Sequence, residues 1–284
     1  MTTPTLNPTQ HSLQAADGTT ISYLTLGTGP GLVLVPGSMG SAPDYLSLAQ
    51  NLANSYTVHI VDRRGHGQSG PIKPDHSMTT EQQDIQAVVK TTGAPYLFGH
   101  SIGGLISLEA ALGASLKKLA VYEPPVSVNG SIPRGWLPDM EQALAAKHYA
   151  TAMTTIMKGL QLSSDAGALP KPALIALMAV MMRLRKTADG QPWGQHIQQL
   201  LPTMPVDIDL VYELDSAYST FAAVTIPTLL LGGTKSAPHF KLGLETLQKT
   251  LPQANLIMMP NLEHNAPNTD APEKVAAQLR KFLV

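Results

Sequence analysis

Residues 99–104 read Gly-His-Ser-Ile-Gly-Gly, which contains the pattern G-x-S-x-G centred on Ser101. The apolar residues 95–98 before it predict a strand, and the almost wholly apolar residues 101–112 predict a helix buried at the centre of the molecule. A serine on so sharp a strand-to-helix turn is exposed at the carboxyl edge of the sheet, where the start of the helix favours an oxyanion. The stretch therefore predicts a nucleophile at Ser101; the alternative is a tight glycine turn with a capping serine.

Short apolar strands alternate with helical patterns on both sides of this turn. The last helix is expected to begin with a capping box formed by Asp270 and Glu273 and to bury Val275, Leu279 and Phe282. Apolar strands of this kind are typical of a parallel sheet covered on both faces, so the class is α/β with a doubly wound, mostly parallel sheet. Further strands are predicted at residues 20–25, 31–35, 57–61, 118–122, 228–231 and 256–259, and further helices at 44–53 and 80–90.

Residues 124–223 interrupt this alternation, because their pattern is mostly helical and shows no convincing strand. They hold seven of the 12 methionines of the chain. Methionine side chains repack around irregular ligands, so we interpret the segment as an inserted helical lid over a core of residues 1–123 and 224–284; the alternative is a helical bundle with methionine as core filler. The candidate substrate contacts are Met39, Met181 and Met182.

Three further blocks, taken with the G-x-S-x-G turn, resemble the α/β-hydrolase superfamily. Residues 36–41 lie where that family has its His-Gly oxyanion loop, with Pro36 in place of the usual histidine, and residues 62–69 look like its turn after the preceding strand. Residues 261–264 resemble the loop that carries the catalytic histidine. The resemblance covers almost the whole chain outside residues 124–223. It implies the α/β-hydrolase fold, with helices on both faces of a mostly parallel central sheet and an inserted lid.

His264 is the predicted base for Ser101, because a serine hydroxyl is a poor nucleophile without one. Among the nine histidines, His264 alone stands in a strand-to-helix loop late in the chain. His100 adjoins the nucleophile on the wrong side of the turn, and His239 is a weaker rival in the loop after residues 228–231.

The acid that partners His264 is predicted to be Glu123. The resemblance places an aspartate a few residues beyond the strand at 228–231, but residues 232–236 read Gly-Gly-Thr-Lys-Ser. Glu123 ends the strand after the nucleophile helix, where some family members carry their acid, and Pro124 is expected to hold it extended. The order serine, acid, histidine also fits this fold. The alternatives that stay open are Asp207, Asp209 and Asp215.

The backbone N–H groups of Ser38 and Ile102 are the predicted oxyanion-hole donors by position, with Met39 as the runner-up. These residues together predict a cofactor-independent serine hydrolase that cleaves small-molecule carboxylic esters through an acyl-enzyme on Ser101. The alternatives with the same triad are an acyltransferase, a perhydrolase, a lactonase or a C–C bond hydrolase. A non-catalytic ligand-binding protein of the same fold is a further alternative.

Composition and charge narrow the possible partners. The chain has 284 residues, of which 19 are basic and 20 acidic, so nothing in its charge favours a nucleic acid or an anionic membrane. Cysteine is absent, which excludes disulfides and zinc–thiolate sites. No histidine and carboxylate cluster has the spacing of metal ligands. Residues 65–70 match G-x-G-x-x-G, but Pro71 follows at once and prevents the helix that a dinucleotide site needs.

Residues 1–10 and the longest apolar run of the sequence indicate where in the cell the protein is expected. Residues 1–10 show no basic start followed by an apolar stretch, so we see no signal peptide. The longest apolar run, residues 173–182, is too short to span a bilayer. We therefore expect a cytoplasmic protein without a membrane partner, and the sequence gives no indication of its oligomeric state.

Overall fold

The computed structural model describes residues 7–162, 169–187 and 190–284, and its centre is a single eight-stranded sheet. The strand order across the sheet is β1-β2-β4-β3-β5-β6-β7-β8. Strands β1 and β2 pair antiparallel with their neighbours, and every pair from β4 to β8 is parallel. The strands are β1 (Thr9–Gln14), β2 (Thr20–Gly27), β3 (Gly31–Val35), β4 (Thr57–Val61), β5 (Tyr96–His100), β6 (Lys118–Tyr122), β7 (Thr228–Gly233) and β8 (Ala254–Met259).

Helices cover both faces of the sheet. The helices are α1 (Leu46–Leu52), α2 (Met78–Thr92), α3 (Ile102–Ala111), α4 (Leu137–Ala145), α5 (Tyr149–Gly159), α6 (Lys171–Leu184), α7 (Trp193–Leu200), α8 (Met204–Glu213), α9 (Pro238–Thr250) and α10 (Pro272–Leu283). One apolar cluster joins α2, α3 and α9 to one face, and a second joins α1 and α10 to the other. The predicted mostly parallel sheet with helices on both faces is confirmed. Within the described ranges, no helix has the length and apolar character needed to cross a membrane.

The predicted strands at residues 31–35, 57–61 and 118–122 coincide with β3, β4 and β6. Strand β1 escapes prediction because its residues are polar and almost all exposed, as suits a solvated edge strand. The predicted capping box is wrong. Asp270 ends the preceding turn, Ala266–Asp270, and α10 begins at Pro272 after Ala271. Phe282 is also only half-buried, and its neighbour Leu283 takes the buried position.

Residues 124–223, here called the helical segment, connect β6 to β7 and contain α4 to α8. In the part of the segment that the structure describes, which leaves out residues 163–168 and 188–189, the one β pairing is an isolated bridge between Lys186 and Pro192. Several side-chain contacts tie the segment to the rest of the protein, and two of them involve carboxylates that pair with Arg63 or His196. The Asp207 carboxylate lies 2.7 Å from the Arg63 guanidinium, and His196 Nε2 lies 2.9 Å from Asp44 Oδ2.

Candidate active site

Ser101 lies on the turn between β5 and α3 with a backbone φ of 53° and ψ of −129°. A positive φ is uncommon outside glycine, and such strained residues cluster at functional sites. The turn is tight because Gly103 lies against the end of β3. A Cβ on Gly103 would stand 2.3 Å from the carbonyl oxygens of both Val35 and Pro36. This contact brings the loop after β3 next to the start of α3.

His264 and Glu123 meet at the carboxyl ends of the strands. His264 Nδ1 lies 2.8 Å from Glu123 Oε2, and both residues are buried. The other carboxylate oxygen, Oε1, accepts a hydrogen bond of 2.6 Å from the Gly233 N–H. Because a carboxylate only accepts hydrogen bonds, Nδ1 carries the proton and Nε2 is left as the basic nitrogen.

The backbone of Glu123 differs from expectation. Its φ is +46°, so the extended conformation expected from Pro124 is wrong. The Glu123 N–H still donates to the Leu231 carbonyl oxygen at 3.0 Å, which holds the residue at the tip of β6 beside β7. The chain turns sharply at this point, and the turn directs the carboxylate at His264.

The three aspartates that the sequence left open lie elsewhere. Asp207 is buried and pairs with Arg63, and Asp209 is exposed on α8. Asp215 accepts hydrogen bonds from the Ser127 hydroxyl and from the Gly130 N–H. The structure therefore brings Glu123, and none of these three, to His264.

A second histidine, His100, supports the site from beneath, and sequence reasoning gave it no role. Its Nε2 donates to the His264 carbonyl oxygen at 2.9 Å, and its Nδ1 lies 2.6 Å from the Tyr45 hydroxyl. That hydroxyl accepts a hydrogen bond of 2.9 Å from the Gly37 N–H. Burial, with the nearby His264 ring, holds the pKa of His100 well below its ordinary value, so the ring is neutral. The chain of bonds links the His264 loop to the loop after β3.

The His264 ring is also fixed by stacking. The Phe240 ring lies parallel to it, with centroids 4.2 Å apart and planes 12° apart. His239, the weaker rival from the sequence, lies beside Phe240, and burial lowers its pKa to about 4. His264 contacts Glu123 and His239 forms no hydrogen bond to it. Phe240 carries no local sequence signal, because only the packing of α9 brings it to the site.

The loop at residues 37–40 forms a tight turn beside Ser101. The Gly40 N–H donates to the Gly37 carbonyl oxygen at 3.1 Å, and Met39 has a φ of 54°, a combination typical of a type II turn. Ile102 is the first residue of α3, so its N–H has no acceptor within the helix. Ser38, Met39 and Ile102 all line the same cavity as Ser101.

This cavity has a volume of about 300 Å³ and reaches both Ser101 and His264. Much of its wall comes from the helical segment, which contributes apolar residues together with the polar residues Arg185, Lys186, Thr187, His196 and Asp207. The apolar lining residues of α5, α7 and α8 are Met153, Ile156, Met157, Trp193, Ile197, Met204, Ile208 and Val211.

Two predicted contacts are misplaced, since Met181 and Met182 do not line the cavity. Their helix, α6, packs against α5 and α7 on the outside of the segment. Leu177 and Val180 of the same helix are about half exposed, at 46% and 50%. Met39 lines the cavity.

The acidic side chains at the cavity wall each have a side-chain partner. Asp44 pairs with His196, and Asp207 pairs with Arg63. Among the described residues, no group of three or more histidine and carboxylate side chains could hold a metal ion. Residues 65–70, which match G-x-G-x-x-G, form a loop closed by a 2.8 Å hydrogen bond from the Gly65 N–H to the Gly70 carbonyl oxygen. The next helix begins only at Met78.

Comparison with known sequences finds relatives among hydrolases. A segment of 99 residues, 34% of the chain, is 36% identical to the uncharacterized hydrolase YraK of Bacillus subtilis. A segment of 93 residues is 36% identical to the pimeloyl-[acyl-carrier protein] methyl ester esterase of Stenotrophomonas maltophilia. The matched part of the chain spans 36% and 34% of these two curated relatives, or about a third of their length.

Solved structures agree over nearly the whole chain. An alpha/beta hydrolase from Sphaerobacter thermophilus superposes with a TM-score of 0.78 at 30% identity, covering 96% of this chain and 100% of that one. The naproxen esterase of Bacillus subtilis shares the fold with a TM-score of 0.71 at 17% identity, covering 98% and 92%. Residues 32–278 match the Alpha/beta hydrolase family as a whole. The relatives of the chain include hydrolases and esterases, and its sheet and helices have the same arrangement as those solved structures. The chain belongs to the alpha/beta hydrolase family.

Proposed function

We propose that this protein is a serine hydrolase that cleaves carboxylic esters through an acyl-enzyme on Ser101. The observation that carries the proposal is the 2.8 Å contact between His264 Nδ1 and Glu123 Oε2 on a cavity that Ser101 also lines. A nucleophile, a base and a carboxylate that orients the base are the groups that acyl transfer through serine needs.

The reaction assigns each residue one task. Ser101 Oγ attacks the ester carbonyl carbon while His264 Nε2 takes the hydroxyl proton. The backbone N–H groups of Ser38 and Ile102 receive the charge that develops on the carbonyl oxygen. His264 then gives its proton to the leaving alcohol, and water clears the acyl group by the same steps. Throughout, the Glu123 carboxylate stabilises the charged imidazole ring.

The helical segment acts in this proposal as a lid over a core of residues 1–123 and 224–284. Its apolar side chains, such as Met157 and Ile208, supply the wall that an acyl chain would contact. Two observations support this role: the segment contributes to the cavity, and it attaches to the core through pairs that include His196 with Asp44.

The test is turnover of an aryl ester, followed by mass detection of a phosphonyl adduct in the peptide that carries Ser101. Replacing Ser101 by Ala should lower kcat on the order of 10⁶-fold, because no other group can form the acyl-enzyme. Ser236→Ala is the matched control, since this serine is buried but does not line the cavity. Near-normal activity in Ser101→Ala would refute the mechanism. A wild-type protein with neither turnover nor adduct would instead be a ligand-binding member of the family.

A further inference from the structure

The turn after His264 lines the cavity with side-chain amides, and we propose that Asn265 and Asn268 form a subsite for the alcohol half of the ester. The preferred substrates are then esters of alcohols that carry a further hydroxyl group, with a short apolar acyl chain. This inference rests on the proposed function, because an alcohol is released at this site only if the protein cleaves esters.

The part of the wall that α5 forms differs in character from the part that follows His264. Helix α5 lines the cavity with the apolar residues Met153, Ile156 and Met157. Elsewhere the helical segment also contributes the polar residues Arg185, Lys186, Thr187, His196 and Asp207. The turn Ala266–Asp270 and the residue before it line the cavity with polar side chains. Those polar lining residues are Asn265, Asn268 and Thr269.

The reaction decides which half of the ester meets which wall. His264 Nδ1 is occupied by Glu123 at 2.8 Å, so only Nε2 can hand a proton to the leaving oxygen. The alcohol must therefore lie beside the His264 ring. Asn265 is the next residue in the chain and Asn268 is three residues further on, and both line the same cavity as His264. The acyl chain is left with the apolar wall.

The side-chain amides of Asn265 and Asn268 can contact a substrate because the turn is held by backbone hydrogen bonds. Its backbone is held by the N–H groups of Thr269 and Asp270, which donate to the Asn265 carbonyl oxygen at 3.0 and 3.2 Å. Within residues 7–162, 169–187 and 190–284, neither side-chain amide forms a hydrogen bond, and Asn268 Oδ1 is buried without a partner. Each amide offers two donors and one acceptor oxygen, which suits a hydroxyl group.

The volume of the cavity limits the size of the substrate. About 300 Å³ holds on the order of ten non-hydrogen atoms, at roughly 30 Å³ for each water-sized group. An acyl chain of about four to six carbons with a two- or three-carbon alcohol fills that space.

The same subsite should bind an alcohol that accepts the acyl group. The hydroxyl oxygen of the acceptor attacks the acyl carbonyl carbon, and its proton passes to His264 Nε2. The bond from that carbon to Ser101 Oγ then breaks, and Oγ takes the proton from His264. A new ester and the free serine result, without any further reactant. Ethylene glycol should therefore capture the acyl group better than ethanol does.

The experiment compares ethyl butyrate with 2-hydroxyethyl butyrate by pH-stat titration. Both esters give the same butyryl-enzyme and share its deacylation rate, so the alcohol subsite acts on the acylation step, which kcat/KM measures. We expect kcat/KM to be about three- to tenfold higher for the hydroxyethyl ester, as one neutral hydrogen bond provides. The partition of the butyryl group between water and added ethylene glycol or ethanol is measured in parallel by product analysis.

Asn265→Leu and Asn268→Leu should each reduce both preferences, which are read as ratios between the two esters and between the two acceptors so that any general change in activity cancels. Asn255→Leu is the control, because this exposed amide of β8 does not line the cavity. If a leucine variant does not fold, Asn→Ser at the same position serves in its place, since its shorter side chain cannot span the same distance.

A wild-type preference below twofold, or a preference that survives in both asparagine variants, would overturn the subsite. The proposed function fails differently: neither ester would then be hydrolysed, and no phosphonyl adduct would form on Ser101.

Discussion

Gly233, the last residue of β7, donates its backbone N–H to Glu123 Oε1 at 2.6 Å, so the end of one strand holds the carboxylate that projects from the next. The family resemblance places the acid a few residues after the predicted strand at 228–231, but at Gly233 a side chain has no room. A Cβ there would lie 2.1 Å from the Leu262 carbonyl oxygen, in the loop that leads to His264. The end of β7 thus supplies a backbone donor, and β6 supplies the carboxylate.

Glu123→Gln should lower kcat by about 10⁴ and leave KM nearly unchanged. The glutamine keeps the shape of the side chain but removes the charge that stabilises the imidazolium, and it permits the wrong tautomer of His264. The magnitude follows the comparable change in serine proteases. Steady-state kinetics with an aryl ester gives the measurement.

Asp209→Asn and Asp215→Asn are the controls for this variant, because neither carboxylate contacts His264. Asp207→Asn is a poor control, since it also breaks a buried ion pair with Arg63. If Glu123→Gln keeps most of its kcat and an aspartate variant loses it, the assignment of the acid is wrong. If no carboxylate matters, His264 acts in a dyad with Ser101.

Tyr45→Phe should destabilise the fold by about 1–3 kcal/mol and lower kcat more than it raises KM. The variant removes the hydroxyl that accepts from the Gly37 N–H at 2.9 Å and bonds His100 at 2.6 Å, so two buried polar groups lose their partner. The loop at residues 37–40 then loses one of its anchors. Urea unfolding and ester kinetics measure the two effects; a stable variant with wild-type kcat would show that the anchor is dispensable.

Met157→Asp should reduce activity on aryl hexanoate more than on aryl acetate, because Met157 lines the cavity and a charge there meets only the longer acyl chain. Met181→Asp is the matched control from the same segment, on the outer helix α6 and away from the cavity. We expect the ratio of the two activities to change in the first variant alone. An equal loss on both esters in Met157→Asp would argue against an acyl wall formed by α5.

A buried cluster around Arg63 makes stability depend on pH. Its guanidinium lies 2.7 Å from both Glu81 and Asp207. Burial alone would raise the pKa of Glu81, but Arg63 and the hydrogen bond from His76 prevail and lower it from 4.5 to about 2. A lowered pKa in the folded state stabilises the protein above the ordinary pKa, and this contribution is lost as the pH falls from about 4.5 to about 2.

The lowering of the Glu81 pKa from 4.5 to about 2 corresponds to about 3 kcal/mol of folding free energy, at about 1.4 kcal/mol for each tenfold change in proton affinity. Glu81→Gln should therefore be less stable than the wild type at pH 7 by about 3–5 kcal/mol, as expected when one partner of a buried ion pair is removed. It should also lose less stability between pH 4.5 and pH 2. Guanidinium unfolding at several pH values tests both points, with exposed Glu245→Gln as the control. Parallel pH curves for Glu81→Gln and the wild type would assign the effect to other groups.

The parallel core of the sheet could be predicted from the sequence because its strands are short, apolar and bounded by turn residues, as β3, β4 and β6 are. Ser101 and Glu123 could be singled out because each directly follows a predicted strand, and His264 because it lies in a strand-to-helix loop late in the chain. The roles of His100, Tyr45 and Phe240 could not be predicted from the sequence. They depend on contacts such as the one between His100 and His264, which are more than 160 residues apart, or on contacts between separate elements. Met181 and Met182 were misplaced for a related reason. Composition marks a methionine-rich segment, but only the packing of α6 on α5 and α7 decides which side chains reach the cavity.

Gly103→Ala should destabilise the protein and abolish most activity, whereas Gly135→Ala should be neutral. At Gly103 the new methyl group would stand 2.3 Å from the carbonyl oxygens of Val35 and Pro36, so the start of α3 and the end of β3 would be forced apart. Overpacking of this kind costs typically 1–3 kcal/mol, and the same displacement would separate Ser101 from the loop at residues 37–40. At Gly135 a Cβ meets nothing within 4 Å, and the backbone needs no positive φ. Thermal unfolding and aryl-ester kinetics on both variants give the comparison. Wild-type activity in Gly103→Ala would mean that the nucleophile turn tolerates a wider spacing from β3, and that the loop after β3 need not lie against Ser101 for catalysis.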